Sequence, residues 1–185
     1  MKRIVYALLP LAFVASAVHA AEYSQVIEDE SRIEFSYTQM GVTMKGSFNS
    51  FSSELRFDPD APRDAHAAID VDLASVDTGS ADGNEEVVRK TWFNTAAFPV
   101  ARFESTAIEP LAEGEYEVSG VLSIKGASQE VSFPATFTPR DGVGIFDGSL
   151  TIQRGDFAIG EGAWRAFDIV ANDVVIQFHI AAAAE

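Results

Sequence analysis

The chain has 185 residues, a formal net charge of −15 and no cysteine. The strong negative charge disfavours nucleic acid and anionic membrane surfaces as partners, because both repel an acidic protein. Without cysteine the chain has neither a disulfide framework nor a lipoprotein attachment site. Residues 21–185 are sufficient for one domain with a full hydrophobic core.

The first twenty residues have the pattern of an export signal. Lys2 and Arg3 precede an apolar stretch over residues 4–18, and Ala20 ends a cleavage site of the small-residue type. The apolar stretch is too short to suit a membrane span, although an uncleaved anchor is the alternative. We therefore expect residues 1–20 to be a cleaved signal peptide and the remainder to be periplasmic or secreted.

From residue 33 onward, apolar and polar side chains alternate in a series of short runs. A period of two is typical of a β-strand with one buried face, so the pattern predicts antiparallel strands. Turn sequences separate the runs at Asp58-Pro59-Asp60, Glu113-Gly114, Lys125-Gly126 and Asp141-Gly142. The runs lie at residues 33–37, 42–48, 54–57, 69–73, 102–104, 116–124, 131–137, 146–152 and 174–180.

Many antiparallel strands with one apolar face form either a sandwich or a closed barrel, and alternation alone does not distinguish them. A barrel of about eight strands is just wide enough for its own side chains or one slender ligand. In an outer-membrane barrel the polar face would line the lumen, but here that face carries many carboxylates and suits a solvated exterior. These carboxylates belong to Glu54, Asp70, Asp72, Glu104 and Glu117.

A short helix is predicted between the runs, within residues 75–108. Asp82 or Asn84 can cap its beginning, and Val88 and Trp92, four residues apart, share one face. So short a helix is not stable alone and must dock this face, for example over an open barrel end. The charges complement the helix dipole, with Glu85 and Glu86 in the first turn and Arg89 and Lys90 in the last.

Four other segments carry motifs whose order and spacing are specific together. They are a glycine-phenylalanine strand over residues 42–51, the G-x-L-x-I-x-G hairpin over residues 120–126, the R-x-D-F segment ending at Phe157, and residues 159–164. With the helical segment, they closely resemble the YceI-like family of secreted, lipocalin-like lipid-binding barrels. The resemblance covers nearly all of the chain after residue 21.

The resemblance implies an all-β fold, an antiparallel lipocalin-like β-barrel of about eight strands with one short α-helix. It also implies that the barrel holds a long isoprenoid or acyl chain. Some family members are linked with membrane b-type cytochromes, which implies a possible electron-transfer or stress role. Two positions depart from the family pattern, because Ala158 stands where we expect glycine and Asn84 where we expect aspartate.

The apolar face of the predicted strands mixes large aromatic residues with glycine and alanine. The glycines can mark bends that close a barrel, or they can leave a tunnel along its axis. The pattern leaves both interpretations open, and the resemblance favours the tunnel. The predicted ligand-binding residues are Phe35, Tyr37, Met44, Gly46, Phe48, Val71, Phe103, Ser105, Val118, Gly120, Leu122, Phe133, Phe146, Gly148, Leu150, Arg154, Trp164, Ile176 and Phe178.

Arg154 is the polar residue of greatest interest, because it continues an inward-facing register at the end of a strand. A buried guanidinium must be paired. One interpretation is an ion pair with Asp156 or Asp168, and the other is a hydrogen bond to the polar head of a ligand, such as a quinone carbonyl. Ser105 and Tyr37 are further candidates for contacts with such a head.

Candidate catalytic motifs are weak. Asp77-Thr78-Gly79-Ser80 matches the aspartic-protease string, but no second copy supplies the second carboxylate. A turn explains it as well, with Asp77 accepting a backbone hydrogen bond and Gly79 left-handed. His66 and His179 are far apart in sequence and lack a metal-ligand spacing. We predict no catalytic residue, no metal and no cofactor other than a bound lipid such as an isoprenoid quinone.

The sequence thus predicts a non-enzymatic protein that holds one polyisoprenoid chain for carriage or storage. Its predicted partner is a long-chain isoprenoid or acyl lipid and not a nucleic acid. Two alternatives stay open. A hydrolase or isomerase acting on a lipid in the same cavity would need an inward-facing carboxylate with a raised pKa, and a structural barrel would have a filled interior.

Overall fold

A computed structural model describes residues 21–185, and the predicted signal peptide lies outside the described residues. The described chain forms one antiparallel sheet of eleven strands, with a single α-helix, α1 (Ala81–Val87), and five short 3₁₀-helices. The strands are β1 (Tyr23–Val26), β2 (Arg32–Gln39), β3 (Val42–Phe48), β4 (Phe51–Arg56), β5 (His66–Asp72), β6 (Val76–Asp77), β7 (Val100–Ala112), β8 (Glu115–Ile124), β9 (Ala127–Arg140), β10 (Val143–Gln153) and β11 (Val170–Ala184).

The predicted fold class is confirmed, and each of the nine alternating runs corresponds to a strand. The count exceeds the expected eight or so because β1 and β6, with four and two residues, are too short to show a period. The four predicted turns join or follow strands as expected. None of the helices within residues 21–185 has the length and apolar character needed to cross a membrane.

The sheet curls until its two edges meet. Its strand order is β4-β5-β7-β8-β9-β10-β11-β2-β3-β6, with β1 added to β11. At one edge Tyr23 of β1 exchanges two backbone hydrogen bonds with Phe57, which follows β4. At the other edge β6, which follows β5, pairs with the last residues of β3. The chain thereby encloses an interior.

The two ends of the barrel differ in the elements that close them. The helix end, as we call it, carries α1, the β2–β3 and β8–β9 hairpin tips, and the segment over residues 154–169. The hydrogen bond from Trp164 Nε1 to Glu86 Oε1, 2.9 Å long, ties this segment to α1. The β1 end carries β1 and the turns at residues 58–60, 113–114 and 141–142.

Each end has its own packed core. At the β1 end, the rings of Tyr23 and Phe57 pack on the ring of Phe137, with centroids 5.0 and 4.8 Å from it. At the helix end, Leu73, Trp92 and other apolar side chains pack around Phe157, which is 2% exposed. The packed side chains are therefore concentrated at the two ends of the barrel and not in its middle.

The start of α1 differs from the prediction. Ser80 is the N-cap, and its Oγ accepts a hydrogen bond from Gly83 N at 3.1 Å, so neither Asp82 nor Asn84 caps the helix. The helix ends at Val87, which places Arg89 and Trp92 in the following turns and not on the helix. The prediction that Val88 and Trp92 share one face of the helix was therefore wrong. Trp92 is nevertheless buried, as expected of a side chain that docks against the barrel.

The backbone conformation at Ala158 explains why glycine was expected at this position. Its backbone is left-handed, with φ 52° and ψ 32°, where it ends the 3₁₀-helix Arg154–Phe157. Glycine adopts this conformation without steric cost, whereas a Cβ costs about 1–2 kcal/mol. Alanine at this position is therefore strained, in agreement with the expectation of glycine.

We predict that Ala158→Gly raises the free energy of unfolding by about 0.5–1 kcal/mol, since relief of the left-handed strain exceeds the entropy that glycine adds to the unfolded chain. Urea unfolding measures the change. The matched control is Ala112→Gly, at an exposed strand position with negative φ, which should lose stability. A loss at both positions would contradict the assignment of strain to Ala158.

Candidate ligand-binding cavity

A cavity of about 680 Å³ occupies the interior between the two packed ends. Its wall is mainly apolar and receives side chains from all the long strands of the sheet. Cavities that bind small molecules typically measure about 300–1,000 Å³ and have a few polar groups in an apolar wall. The interior therefore has the size and chemistry of a site for an apolar ligand.

The polar part of the wall is concentrated at the helix end. Gln39, Thr78, Ser80, Asp82 and Glu86 line the cavity there, and Ser80 and Asp82 are also exposed to solvent. The cavity thus opens to solvent beside α1. Two other exposed residues of the wall, on β4 and β9, are Glu54 and Thr136.

The structure places most of the predicted ligand-binding residues on this wall. They come from β2, β3, β5 and β7–β11 and from the segment that follows β10. They are Phe35, Tyr37, Met44, Phe48, Val71, Phe103, Val118, Leu122, Phe133, Phe146, Leu150, Arg154, Trp164, Ile176 and Phe178.

The glycines of the prediction do not line the cavity. A Cβ at Gly148 would overlap the ring of Phe178, its cross-strand partner. Gly46 and Gly120 are covered in the same way by the rings of Phe35 and Phe103. The interpretation of these glycines as gaps that leave a tunnel is therefore wrong, because aromatic rings fill the space above them.

Ser105 also lies off the cavity wall. Its Oγ accepts a hydrogen bond from Ala67 N at 2.9 Å, at a point where the β7–β8 register shifts. A bulge interrupts the ladder and leaves backbone groups to be satisfied in other ways. The Ser105 hydroxyl therefore accepts the β5 N–H that the interrupted ladder leaves without a backbone partner. It is not available to a ligand head.

The Asp77-Thr78-Gly79 string forms the predicted turn. Asp77 Oδ1 accepts from Gly79 N at 2.9 Å, and Gly79 has φ +84°. Asn84 Nδ2 donates to the same carboxylate at 3.3 Å, while Asn84 Oδ1 accepts from Thr78 N at 2.7 Å. The bonds from Gly79 and Asn84 lower the pKa of Asp77. Aspartate at position 84 would lack the Nδ2 donor that bonds Asp77, and it would place a second negative charge beside the Asp77 carboxylate.

Arg154 is 2% exposed and has no ion-pair partner among residues 21–185. The predicted pairing with Asp156 or Asp168 is therefore wrong. Its guanidinium instead donates to six carbonyl oxygens at 2.7–3.3 Å, which engages all of its nitrogens. Burial lowers the pKa of Arg154. The acceptors belong to Ile159, Gly160, Trp164, Ala166, Val170 and Ala171.

This arrangement makes Arg154 the organiser of the helix end. Five of the six acceptors lie within residues 159–170, a segment that otherwise has little regular structure. The guanidinium also lies over the rings of Trp92 and Phe167, with Cζ at 5.4 and 4.8 Å from the ring centroids. Since its donors are fully used, Arg154 has none left for a ligand head.

Two buried polar atoms of the wall residues have no partner within residues 21–185. They are Nε1 of Trp92, at the helix end, and Oγ of Ser53, on β4. By contrast, the neighbouring indole of Trp164 donates to Glu86. A buried donor without a partner costs about 1–3 kcal/mol. Each atom has less than 1 Å² of accessible surface, so neither faces the cavity and neither is placed to bond a ligand oxygen.

The sequence prediction missed part of the wall. Ile33, Leu55, Ile69 and Ile180 lie on it, and the same alternation that predicted their strands could have identified them. Other wall residues come from loops and turns, where no periodicity marks the direction of a side chain. These are Leu73, Thr78, Trp92, Phe93 and Ile159.

Comparison with known proteins is consistent with this architecture. The family model described as the YceI-like domain matches residues 25–182. The chain belongs to the YceI-like family. A family relative, the UPF0312 protein of Shewanella denitrificans, is 30% identical over 172 residues, which cover 88% of this chain and 89% of the relative.

Solved structures share the fold. BcnA of Burkholderia cenocepacia is 36% identical, with a TM-score of 0.83 over 85% of this chain and 99% of BcnA. A polyisoprenoid binding domain from Saccharophagus degradans, implicated in plant cell wall breakdown, has a TM-score of 0.67 at 17% identity. That alignment covers 90% of this YceI-like chain and all of the domain. At this identity the second comparison shows the fold alone.

We predict that Arg154→Met lowers the free energy of unfolding by at least about 3 kcal/mol, because each buried carbonyl left without a donor costs about 1–3 kcal/mol. It should also increase proteolytic cleavage within residues 159–170. Chemical unfolding and limited proteolysis measure both effects. Arg165→Met, at an exposed position of the same segment, is the control and should change stability by less than about 0.5 kcal/mol. Equal effects of the two changes would contradict the role given to Arg154.

Proposed function

We propose that this YceI-like protein binds one long polyisoprenoid chain in its cavity and carries or stores it without making or breaking a bond. The apolar cavity of about 680 Å³ inside the barrel is the observation that carries the proposal. The shared fold with a polyisoprenoid binding domain supports the class of ligand. Burial of the chain would drive binding, at about 25 cal/mol for each Å² of apolar surface removed from water.

A polar side chain at the helix end supports a ligand with an oxygen at one end. Tyr37 lines the cavity there, and its hydroxyl lies 3.4 Å from Thr78 O, which is a long contact. This hydroxyl can donate instead to an acceptor such as the carbonyl of an isoprenoid quinone. We therefore propose a quinone head at the helix end and an isoprenoid tail toward the β1 end.

The two alternatives have less support. A filled structural barrel would have no cavity, whereas the described interior contains one. An enzyme would need a carboxylate held inside the apolar cavity. Of the three carboxylates on the wall, those of Glu54 and Asp82 are exposed to solvent, and that of Glu86 already accepts hydrogen bonds from Trp164 and Arg89. We therefore propose binding alone, with delivery to a membrane electron-transfer protein such as a b-type cytochrome as one use of the ligand.

We further propose that the protein is exported, on the basis of the signal-like pattern in residues 1–20. The purified protein should then begin at Ala21 and be recovered from the periplasmic or secreted fraction. Intact-mass measurement tests this directly. Full-length chain retained in the membrane fraction would contradict the proposal.

Organic extraction of the purified protein followed by mass spectrometry should identify an isoprenoid lipid at about one molecule per chain. Tyr37→Phe should then weaken binding of a ubiquinone by about 0.5–1.5 kcal/mol, the usual value of a neutral hydrogen bond, and leave binding of squalene, which has no head, unchanged. Tyr116→Phe is the control, because Tyr116 belongs to the packed core of the β1 end, away from the proposed head.

The two measurements separate the class of ligand from its head. Extraction of no isoprenoid lipid, together with no binding of either probe, would contradict the proposed function. Equal losses for ubiquinone and squalene in Tyr37→Phe would leave the cavity as a lipid site and remove Tyr37 as the donor to the head.

A further inference from the structure

Four of the six large apolar side chains that are exposed within residues 21–185 lie together at the helix end. Met40 and Val42 are at the tip of the β2–β3 hairpin, and Phe167 and Ile169 are in the segment that precedes β11. Met40 N donates to Ile169 O at 2.7 Å, which joins the two segments. We call these four side chains the rim.

The hairpin tip departs from the usual chemistry of its turn. Met40 and Gly41 both have positive φ, 51° and 79°, as in a type I′ turn, for which Asn, Asp and Gly are preferred. Methionine is unfavourable there, and its side chain is also 76% exposed. Positions that break a local rule in this way are expected to be either functional or strained.

The other half of the rim is held rigidly. Arg154 donates to the carbonyls of Ala166 and Val170, on either side of Phe167 and Ile169, and lies against the Phe167 ring. Phe167 is 47% exposed despite this contact. The segment therefore presents apolar side chains to solvent from a fixed backbone.

The rim adjoins the cavity. Gln39 and Val170, which line the cavity, are the chain neighbours of Met40 and Ile169 and pair with each other in the sheet. Acidic residues, by contrast, occur at both ends. They include Asp58, Asp60, Glu113 and Asp141 in the turns of the β1 end, and Asp82, Glu85 and Asp168 at the helix end. The rim is therefore distinguished by its apolar side chains and not by a lack of negative charge.

We propose that the rim docks on the surface of an uncharged, zwitterionic lipid bilayer, with the cavity mouth facing the membrane. The apolar rim suits the bilayer interface, and the exposed carboxylates at both ends favour a surface without net charge over an anionic one. The inference rests on the proposed function for its purpose, since an isoprenoid ligand dissolves in membranes, but the docking itself needs no bound ligand.

A second copy of the chain is a poorer occupant on the grounds of area. Side chains of this size have about 150–250 Å² each, so the half-exposed rim offers about 400 Å². A stable protein interface needs about 800 Å² from each partner. An apolar patch of about 300–600 Å² is nevertheless within the range that is often functional.

Flotation with phosphatidylcholine vesicles tests the proposal, using residues 21–185, which contain every strand of the described barrel. Met40→Asn/Val42→Thr should lower vesicle partitioning at least about tenfold, because the buried apolar area sets the affinity. Asn suits the left-handed turn and Thr keeps a β-branched strand residue, so the variant should fold. The control is Leu111→Asn near the β1 end, where Leu111 is 61% exposed, and it should partition as wild type does.

Three results would overturn the proposal: no flotation of the wild type, an unchanged double variant, or an equal loss in the control. A fourth result would come from sedimentation equilibrium. If the wild type does not float but self-associates, and the double change abolishes this self-association, the rim binds a second copy of the chain and not a bilayer. Mass spectrometry of lipid in the same samples separates the two ideas. Bound isoprenoid without flotation contradicts only the docking, and rim-dependent flotation without bound isoprenoid contradicts only the proposed function.

Discussion

The barrel has more inward-facing apolar surface than its own side chains can cover. The two ends are packed, one by aromatic rings around Phe57 and the other by apolar side chains around Phe157. Between them a cavity of about 680 Å³ remains, with few polar groups in its wall. Water in such a space finds few hydrogen-bond partners. An apolar ligand in the cavity is therefore more favourable than water, and the proposed function follows from this.

A buried cation organises the end at which such a ligand would enter. Arg154 has no carboxylate partner, and its charge is stabilised by carbonyl dipoles and aromatic faces. The same contacts order residues 159–170, place Trp164 against α1 and hold Phe167 at the surface. One side chain thus links the wall of the cavity to the proposed rim.

The strands and their inward faces could be predicted from the sequence, because a period of two follows directly from the geometry of a strand. The contents of the interior could not. Gly46, Gly120 and Gly148 have the expected register, but the rings of Phe35, Phe103 and Phe178 occupy the space that their missing side chains suggested. Alternation indicates which face of the sheet a side chain is on. It does not indicate whether a large side chain on the adjacent strand lies over that position.

The polar groups were predicted least well, because their partners are distant in sequence or are backbone atoms. Arg154 was expected to meet either a carboxylate or the head of a ligand, and a sequence gives no sign that carbonyl oxygens will be the acceptors instead. Ser80, Asp82 and Asn84 all suit an N-cap, so composition could not select Ser80 among them. Ala158 was the opposite case, since the resemblance alone indicated a position where glycine belongs.

The central claim is that the cavity is a site for an apolar ligand and not a packing defect. Thermal unfolding of the protein after removal of lipid, and again after reloading with a ubiquinone, tests it most directly. A ligand that binds only the folded state stabilises it by about 2.7 kcal/mol at a hundredfold excess over Kd, so the melting temperature should rise with ubiquinone concentration. A melting temperature that is the same in stripped, reloaded and untreated protein would contradict the account.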